Sequence, residues 1–234
     1  MRVLLPVRPD NDCGDPARFL DALFGHEDVS ILRLFVYRPA EIDAYDPEML
    51  TAFTEIHRLD DEAVRAAVSS TKVHCRKLLE YGFRVESAIV SGFPVDKVVA
   101  EARLWKADMI MVHITHERLR EARIGHLVGA LIDRSPIPVL LYSKVGQTIG
   151  KNIRVLAETE NARQWAARLA SRQQSAVEEI RENDMPRALA GEGCDLLVIP
   201  SRHHFAPTIL GSPERRIIRQ SEVPVLLIPA APER

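Results

Sequence analysis

Short apolar runs alternate with loops and amphipathic segments along the chain, and one such arrangement occurs twice, over residues 108–143 and 195–230. Asp108 and Asp195 lie 87 residues apart, and Pro138 and Pro224 lie 86 apart. A one-residue gap ahead of Gly125 and Gly211 therefore registers the two copies. Each copy runs from an apolar stretch through a polar loop and a Gly-initiated amphipathic segment to X-Pro-Val-Leu-Leu. An apolar run of about five residues ahead of a loop and a helix has the pattern of a strand buried on both faces. Strand, loop, helix and strand make a crossover in a parallel sheet, right-handed as such crossovers almost always are. A repeat of this length means two related α/β units in one chain.

In chain order, residues 3–7 predict the first strand, stopped by turn formers at 8–12. Asp15-Pro16 opens a helix as N-cap and N1 residue, with Phe19, Leu20 and Leu23 on one face, and Gly25 closes it. Residues 29–37 predict an internal second strand. Asp46-Pro47-Glu48 repeats the cap-plus-proline signature and starts the longest helix, whose Leu50, Phe53, Ile56, Val64, Ala67, Val73, Leu78 and Leu79 keep a helical period up to Gly82. A third strand over 83–90 and a helix over 94–105, with Val95, Val98, Val99 and Ala102 at core spacing, lead into the repeated stretch. The first unit is thus a doubly wound open sheet of five parallel strands.

The second unit is shorter. Residues 153–157 resemble the opening strand, sharing Arg-Val-Leu at Arg2 and Arg154. A helix over 161–172 carries Trp165, Ala166 and Leu169 on one face, followed by a weak strand over 175–180 and a short helix over 185–190 ended by Gly191. The second strand and the long helix have no counterpart, so a trimmed four-stranded copy is expected. Two units over 1–143 and 153–234 follow, joined by a linker at 144–152 that holds two glycines and no apolar periodicity. Nine residues span at most about 30 Å, so the units must sit side by side.

Composition narrows the classes. A hydrophobic fraction of 46% is that of a globular chain. The net charge of −2 gives no global attraction to nucleic acid or acidic membranes. Cys13, Cys75 and Cys194 are scattered and form no CxxC pair, so neither a disulfide framework nor a structural zinc site is indicated. The opening apolar run is too short for a signal peptide and no later run approaches a membrane span, so a cytoplasmic location is expected.

With both repeats in view, the chain resembles a tandem universal stress protein, over nearly all of the first unit and over the second minus its missing pair. The most specific part is the Gly–helix–Pro-Val-Leu run at 125–141 and 211–227. The resemblance implies an adenine nucleotide alpha hydrolase-like fold. In nucleotide-binding members it also implies an Asp facing adenine at the end of the first strand, and a G-x-x-G-x9-G-[ST] loop around the phosphates after the fourth. Glycines in such a loop let backbone N–H groups approach the phosphates, and the next helix N-terminus adds partial positive charge.

This chain departs from that pattern in both units. In the first, Arg8 stands where the Asp would be, and the loop reads His113-Ile114-Thr115-His116 with Gly125-His126 to follow. In the second, Glu158 or Glu160 is near the Asp position, and Pro200-Ser201-Arg202-His203 precedes Gly211-Ser212. All eleven glycines lie outside 113–124 and 199–210. The candidate cofactor-binding residues are therefore Arg8, His113, His116, Gly125, His126, His203, Gly211 and Ser212, at sites expected not to take ATP in the usual mode. The alternative is a regulatory switch that binds ATP, AMP or an anion at the Gly-Ser helix start. Arg8, His113 and His116 are expected to converge at the carboxyl ends of the first and fourth strands. There they would be cationic below about pH 6 and suit a small anion such as phosphate. Ser212 is expected to cap the helix that has Pro213 at N1 and Glu214 in its first turn.

Two further constellations have a plain structural explanation. His113 and His116, with His203 and His204, could be metal ligands, but no carboxylate or cysteine joins either pair, and solvated loop histidines fit better. Arg118, Arg120 and Arg123, like Arg215, Arg216 and Arg219, could receive an anion or nucleic acid; interspersed Glu117, Glu121 and Glu214 make them the exposed face of amphipathic helices instead. Trp105 and Trp165 fall in helix patterns and are expected to pack. Without GxSxG, a P-loop, GxGxxG after a strand, or HExxH, no enzyme is expected. Residues 139–142 and 225–228 should pair edge to edge, since an apolar edge left open invites aggregation; resemblance to family dimers implies antiparallel pairing, hence an intramolecular pseudo-dimer. A further homodimer and an unknown protein partner stay open; nucleic acid and membrane are not expected.

Overall fold

The computed structural model describes residues 1–7, 16–37, 65, 68–69, 75–114, 126–142, 151–156, 158–201 and 213–229. The first half builds β1 (Arg2–Val7), α1 (Pro16–Phe24), β2 (Ser30–Tyr37), β3 (Arg84–Ser91), α2 (Pro94–Leu104), β4 (Met109–His113), α3 (His126–Arg134) and β5 (Val139–Tyr142). The second builds β6 (Asn152–Leu156), α4 (Glu160–Gln173), β7 (Ala176–Ile180), α5 (Met185–Leu189), β8 (Leu196–Ser201), α6 (Pro213–Gln220) and β9 (Val225–Pro229). Helix starts and stops follow local chemistry. Pro16 sits at the first position of α1, and Gly25 ends that helix at φ +67°, a conformation that costs glycine little. Thr159 accepts the Ala162 N–H at 3.3 Å and so caps α4 one residue ahead of the predicted helix. The predicted long helix lies mostly outside the described residues, which include its last helical stretch at 75–80.

Among the described residues nine strands form one sheet in the order β3-β2-β1-β4-β5-β9-β8-β6-β7. Each unit is parallel within itself, five strands then four. The units meet where β5 runs antiparallel to β9, Leu140 opposite Leu226. That is the edge contact expected from the apolar character of both strands. Alternate residues go to opposite faces: Val3, Leu5 and Val7 join an apolar layer under α1 and α4, and Leu4 joins the layer under α2, α3, α5 and α6. Both layers run unbroken across the β5–β9 contact.

Backbone contacts repeat with the sequence. The Asp108 carboxylate accepts the Arg2 N–H at 2.7 Å, and Asp195 accepts those of Lys151 and Asn152 at 3.1 and 3.0 Å. Ser135 donates its hydroxyl to the Ile137 carbonyl at 2.7 Å and accepts the Ile137 N–H; Ser221 does the same with Val223, donating at 2.6 Å. These buried serines fix the turn ahead of each Pro-Val-Leu-Leu strand.

Two details of the repeat differ from the sequence expectation. Asp108 donates its N–H to Arg2 and Asp195 to Asn152, and Val3 stands by Met109 as Ile153 stands by Leu196. Arg2 therefore corresponds to Asn152, and the shared Arg-Val-Leu tripeptides are out of register by two residues. Identity over three residues is a weak guide where strand pairing sets register. Secondly, Ala176 pairs with Asn152 as Ser30 pairs with Arg2, so β7 occupies the place of β2. Among the described residues the strand without a counterpart in the second unit is the outer one, β3.

Candidate functional site

In open α/β sheets the ligand crevice lies at the carboxyl ends of strands where the winding reverses, here between β1 and β4 and between β6 and β8. His113 is the last residue of β4, half-buried, with its ring centroid 5.0 Å from that of Tyr142 on β5 at an interplanar angle of 52°. Tyr142 in turn lies 4.6 Å from Phe19 of α1. Such tilted contacts suit the ring quadrupoles. A side chain packed in an aromatic cluster thus leaves β4 where the family pattern has its first glycine. Arg8, His116 and Gly125 lie outside the described residues, as does the expected convergence of Arg8 and His116 with His113. His126 is the first residue of α3.

In the second unit His203, His204, Gly211 and Ser212 lie outside the described residues, and with them the expected Ser212 cap. The register of β6 settles the choice left open by sequence. With Val3 equivalent to Ile153, Arg8 corresponds to Glu158, while Glu160 is the first residue of α4. Glu158 lines a crevice of about 490 Å³ together with Leu156, Arg163, Glu179, Arg181 and Glu182. Within that lining Arg163 donates to Glu179 at 3.1 Å, so opposite charges meet in the crevice, while on the other face of β7 Arg154 donates to Glu178 at 2.9 Å. Glu214 is buried in the first turn of α6, at the helix end that attracts negative charge.

The remaining candidates resolve individually. Trp105 packs partly buried on the α2 side, its indole N–H donating to Glu86 at 3.2 Å and the Arg2 guanidinium 5.6 Å from its ring. Trp165 packs against the opposite layer. Arg215 is ion-paired with Asp133 of α3, while Arg216 and Arg219 are exposed; Arg118, Arg120 and Arg123 lie outside the described residues. Burial pushes the Cys194 thiol up to about 11, away from reactive thiolate character. Among the described residues no group of three or more His, Cys, Asp or Glu could hold a metal ion, and no helix is long and apolar enough to cross a membrane.

Sequence reasoning missed Arg33. It lies on β2 between Ile31 and Phe35 and is 2% exposed, the largest fully buried side chain among the described residues. A single charge within an otherwise apolar run was the available signal.

Comparison with known proteins places this arrangement. The universal stress protein family matches residues 1–143. The structure is similar to that of a universal stress protein from Archaeoglobus fulgidus DSM 4304, 16% identical with a TM-score of 0.69, covering 100% of this chain and 97% of that one. It is also similar to a functionally unknown protein from Pseudomonas aeruginosa PAO1, 12% identical with a TM-score of 0.64, covering 97% and 92%. Likeness at these identities concerns the fold. No curated protein matches the sequence.

Proposed function

The chain belongs to the universal stress protein family, and from that premise we propose that it serves the stress response by binding or interaction, without taking ATP in the family's usual mode and without catalysis. The observation that carries this reading is His113, packed on Tyr142 at the position where a phosphate loop of the family needs a bare backbone. In sequence, Arg8 replaces the carboxylate that the resemblance expects to face adenine, and Glu214 puts a carboxylate at the α6 N-terminus where a phosphate would go. In this reading the chain works in the cytoplasm as an intramolecular pseudo-dimer of units 1–143 and 153–234 with linker 144–152, and its partner is a protein, not nucleic acid. The antiparallel β5–β9 contact supports the pairing. Chromatography of the acid extract of purified protein is expected to release no stoichiometric adenine nucleotide; release of one per chain would overturn the proposal.

A second function is favoured by the crevice between Glu158 and Glu182, whose lining includes Arg163 and Arg181. There the second unit would act as an anion- or nucleotide-dependent switch. Stabilisation of the chain by millimolar AMP or phosphate, lost in Arg163→Ala, would support it; unchanged melting in the wild type would remove it.

A further inference from the structure

The contact between the units has a two-fold relation that its side chains do not obey. Leu140 and Leu226 are equivalent in the repeat, 86 residues apart, and stand directly opposite one another across β5 and β9. The same spacing makes Gly129 of α3 equivalent to Arg215 of α6, and these two also meet. A Cβ at Gly129 would lie 3.1 Å from Nη2 of Arg215 and 3.3 Å from its Cζ, so the guanidinium rests where glycine leaves room. Arg215 then donates through Nε to Oδ1 of Asp133 at 3.2 Å and through Nη2 to Oδ2. Both partners are about one-third exposed, at 31% and 29%, so the pair is partly desolvated and fixed in a two-point geometry.

In the sheet, the axis holds leucine against leucine, which would serve equally well between two copies of the same unit. In the helix layer it would not. Two first units would place Gly129 against Gly129 and set Asp133 beside the partner's glycine. Two second units would place arginine against arginine, with Arg219, the equivalent of Asp133, facing Arg215. In an isologous contact residue i meets residue j and j meets i, so a residue on the axis meets its own copy; here that rule yields a hollow or a like-charge clash. We propose that Gly129, Asp133 and Arg215 form a selectivity lock, an interface that accepts the unlike unit of this chain and rejects self-pairing of either unit between copies. Discrimination then comes from repulsion in the wrong pair as much as from attraction in the right one.

The test uses the full chain and light scattering on a sizing column across a range of protein concentrations. Arg215→Asp turns the native contact into a carboxylate pair and makes the contact between two second units an Asp–Arg pair with Arg219. Its dimer fraction is expected to rise about tenfold or more over wild type, and Asp133→Arg/Arg215→Asp, which restores the unlike pair in reverse, is expected to return it. An Arg215→Asp chain that is folded and has the wild-type dimer fraction overturns the proposal. If Arg215→Asp does not fold, recovery of folded monomer in the double variant supports the lock, and failure of that variant to fold overturns it.

Discussion

β2 and β7 hold the same place beside the opening strand of their units, in the same register, yet their sequences take opposite solutions. β2 has β3 on its far side and buries Ile31, Leu32, Arg33, Leu34 and Phe35. β7 ends the sheet and exposes Ala176 to Glu179, with Glu178 and Glu179 salt-bridged to Arg154 and Arg163 on its two faces. β2 is an internal position and β7 an edge, and an edge that is polar and charged is protected from recruiting another chain. Propensity alone would not distinguish the two strands; the neighbour does. The β7–β3 span is joined at its middle by the leucines of β5 and β9.

The largest effect should come from that middle. Leu140→Ala and Leu226→Ala each remove a fully buried side chain at the unit contact and should lower stability by about 2–5 kcal/mol in urea unfolding. A loss below about 1 kcal/mol for both would mean that the units are not held through β5 and β9. Arg33 and Glu179 are equivalent by pairing, opposite Leu5 and Val155. Arg33→Ala should cost about 2–4 kcal/mol by leaving a cavity, and Glu179→Ala less than about 0.5 kcal/mol as one exposed ion pair. Equal costs would break the comparison.

Where the two halves agree, substitutions should agree as well. Ser135→Ala and Ser221→Ala should each cost about 1 kcal/mol, since each removes the hydroxyl partner of a partly buried N–H and carbonyl; unequal losses would show that the turns are not equivalent. A smaller effect concerns one cysteine from each half. In a Cys13→Ser background, Cys75 should react with a disulfide reagent at pH 8 far faster than Cys194, whose thiol is desolvated. Its pKa is raised from 9.0 to about 11, so the folded state favours the protonated form. That contribution is present below pH 9 and lost as pH rises towards about 11, a decline in stability that Cys194→Ala should lack.

Much of the fold was legible because the pattern that defines it is chemical and repeated. Buried parallel strands read as apolar runs, the start of α1 as a proline at its first position, and the C-terminal motif as helix–Pro-Val-Leu twice over. Even the β5–β9 contact followed, since two such apolar strands cannot both be edges. What stayed hidden depended on register and on neighbours. The match of Arg8 to Glu158, the placement of β7 and the twin serine turns require knowing which backbone groups face each other. The candidate site was legible mainly as departures from a pattern: His113 where glycine was expected could be read from the chain, but its seat on Tyr142 and Phe19 could not, because those residues come from separate elements. Arg33 was obscured because β-strand patterning treats a long stem ending in a charge as surface.

We have proposed that this chain does not take ATP in the family's usual mode. Isothermal titration of magnesium ATP into the full chain tests it directly. No saturable heat is expected up to about 1 mM ATP, an affinity no better than about −4 kcal/mol. A one-site isotherm near 1–10 µM, roughly −7 to −8 kcal/mol, would show a working phosphate cradle despite His113 and Glu214, and would contradict it.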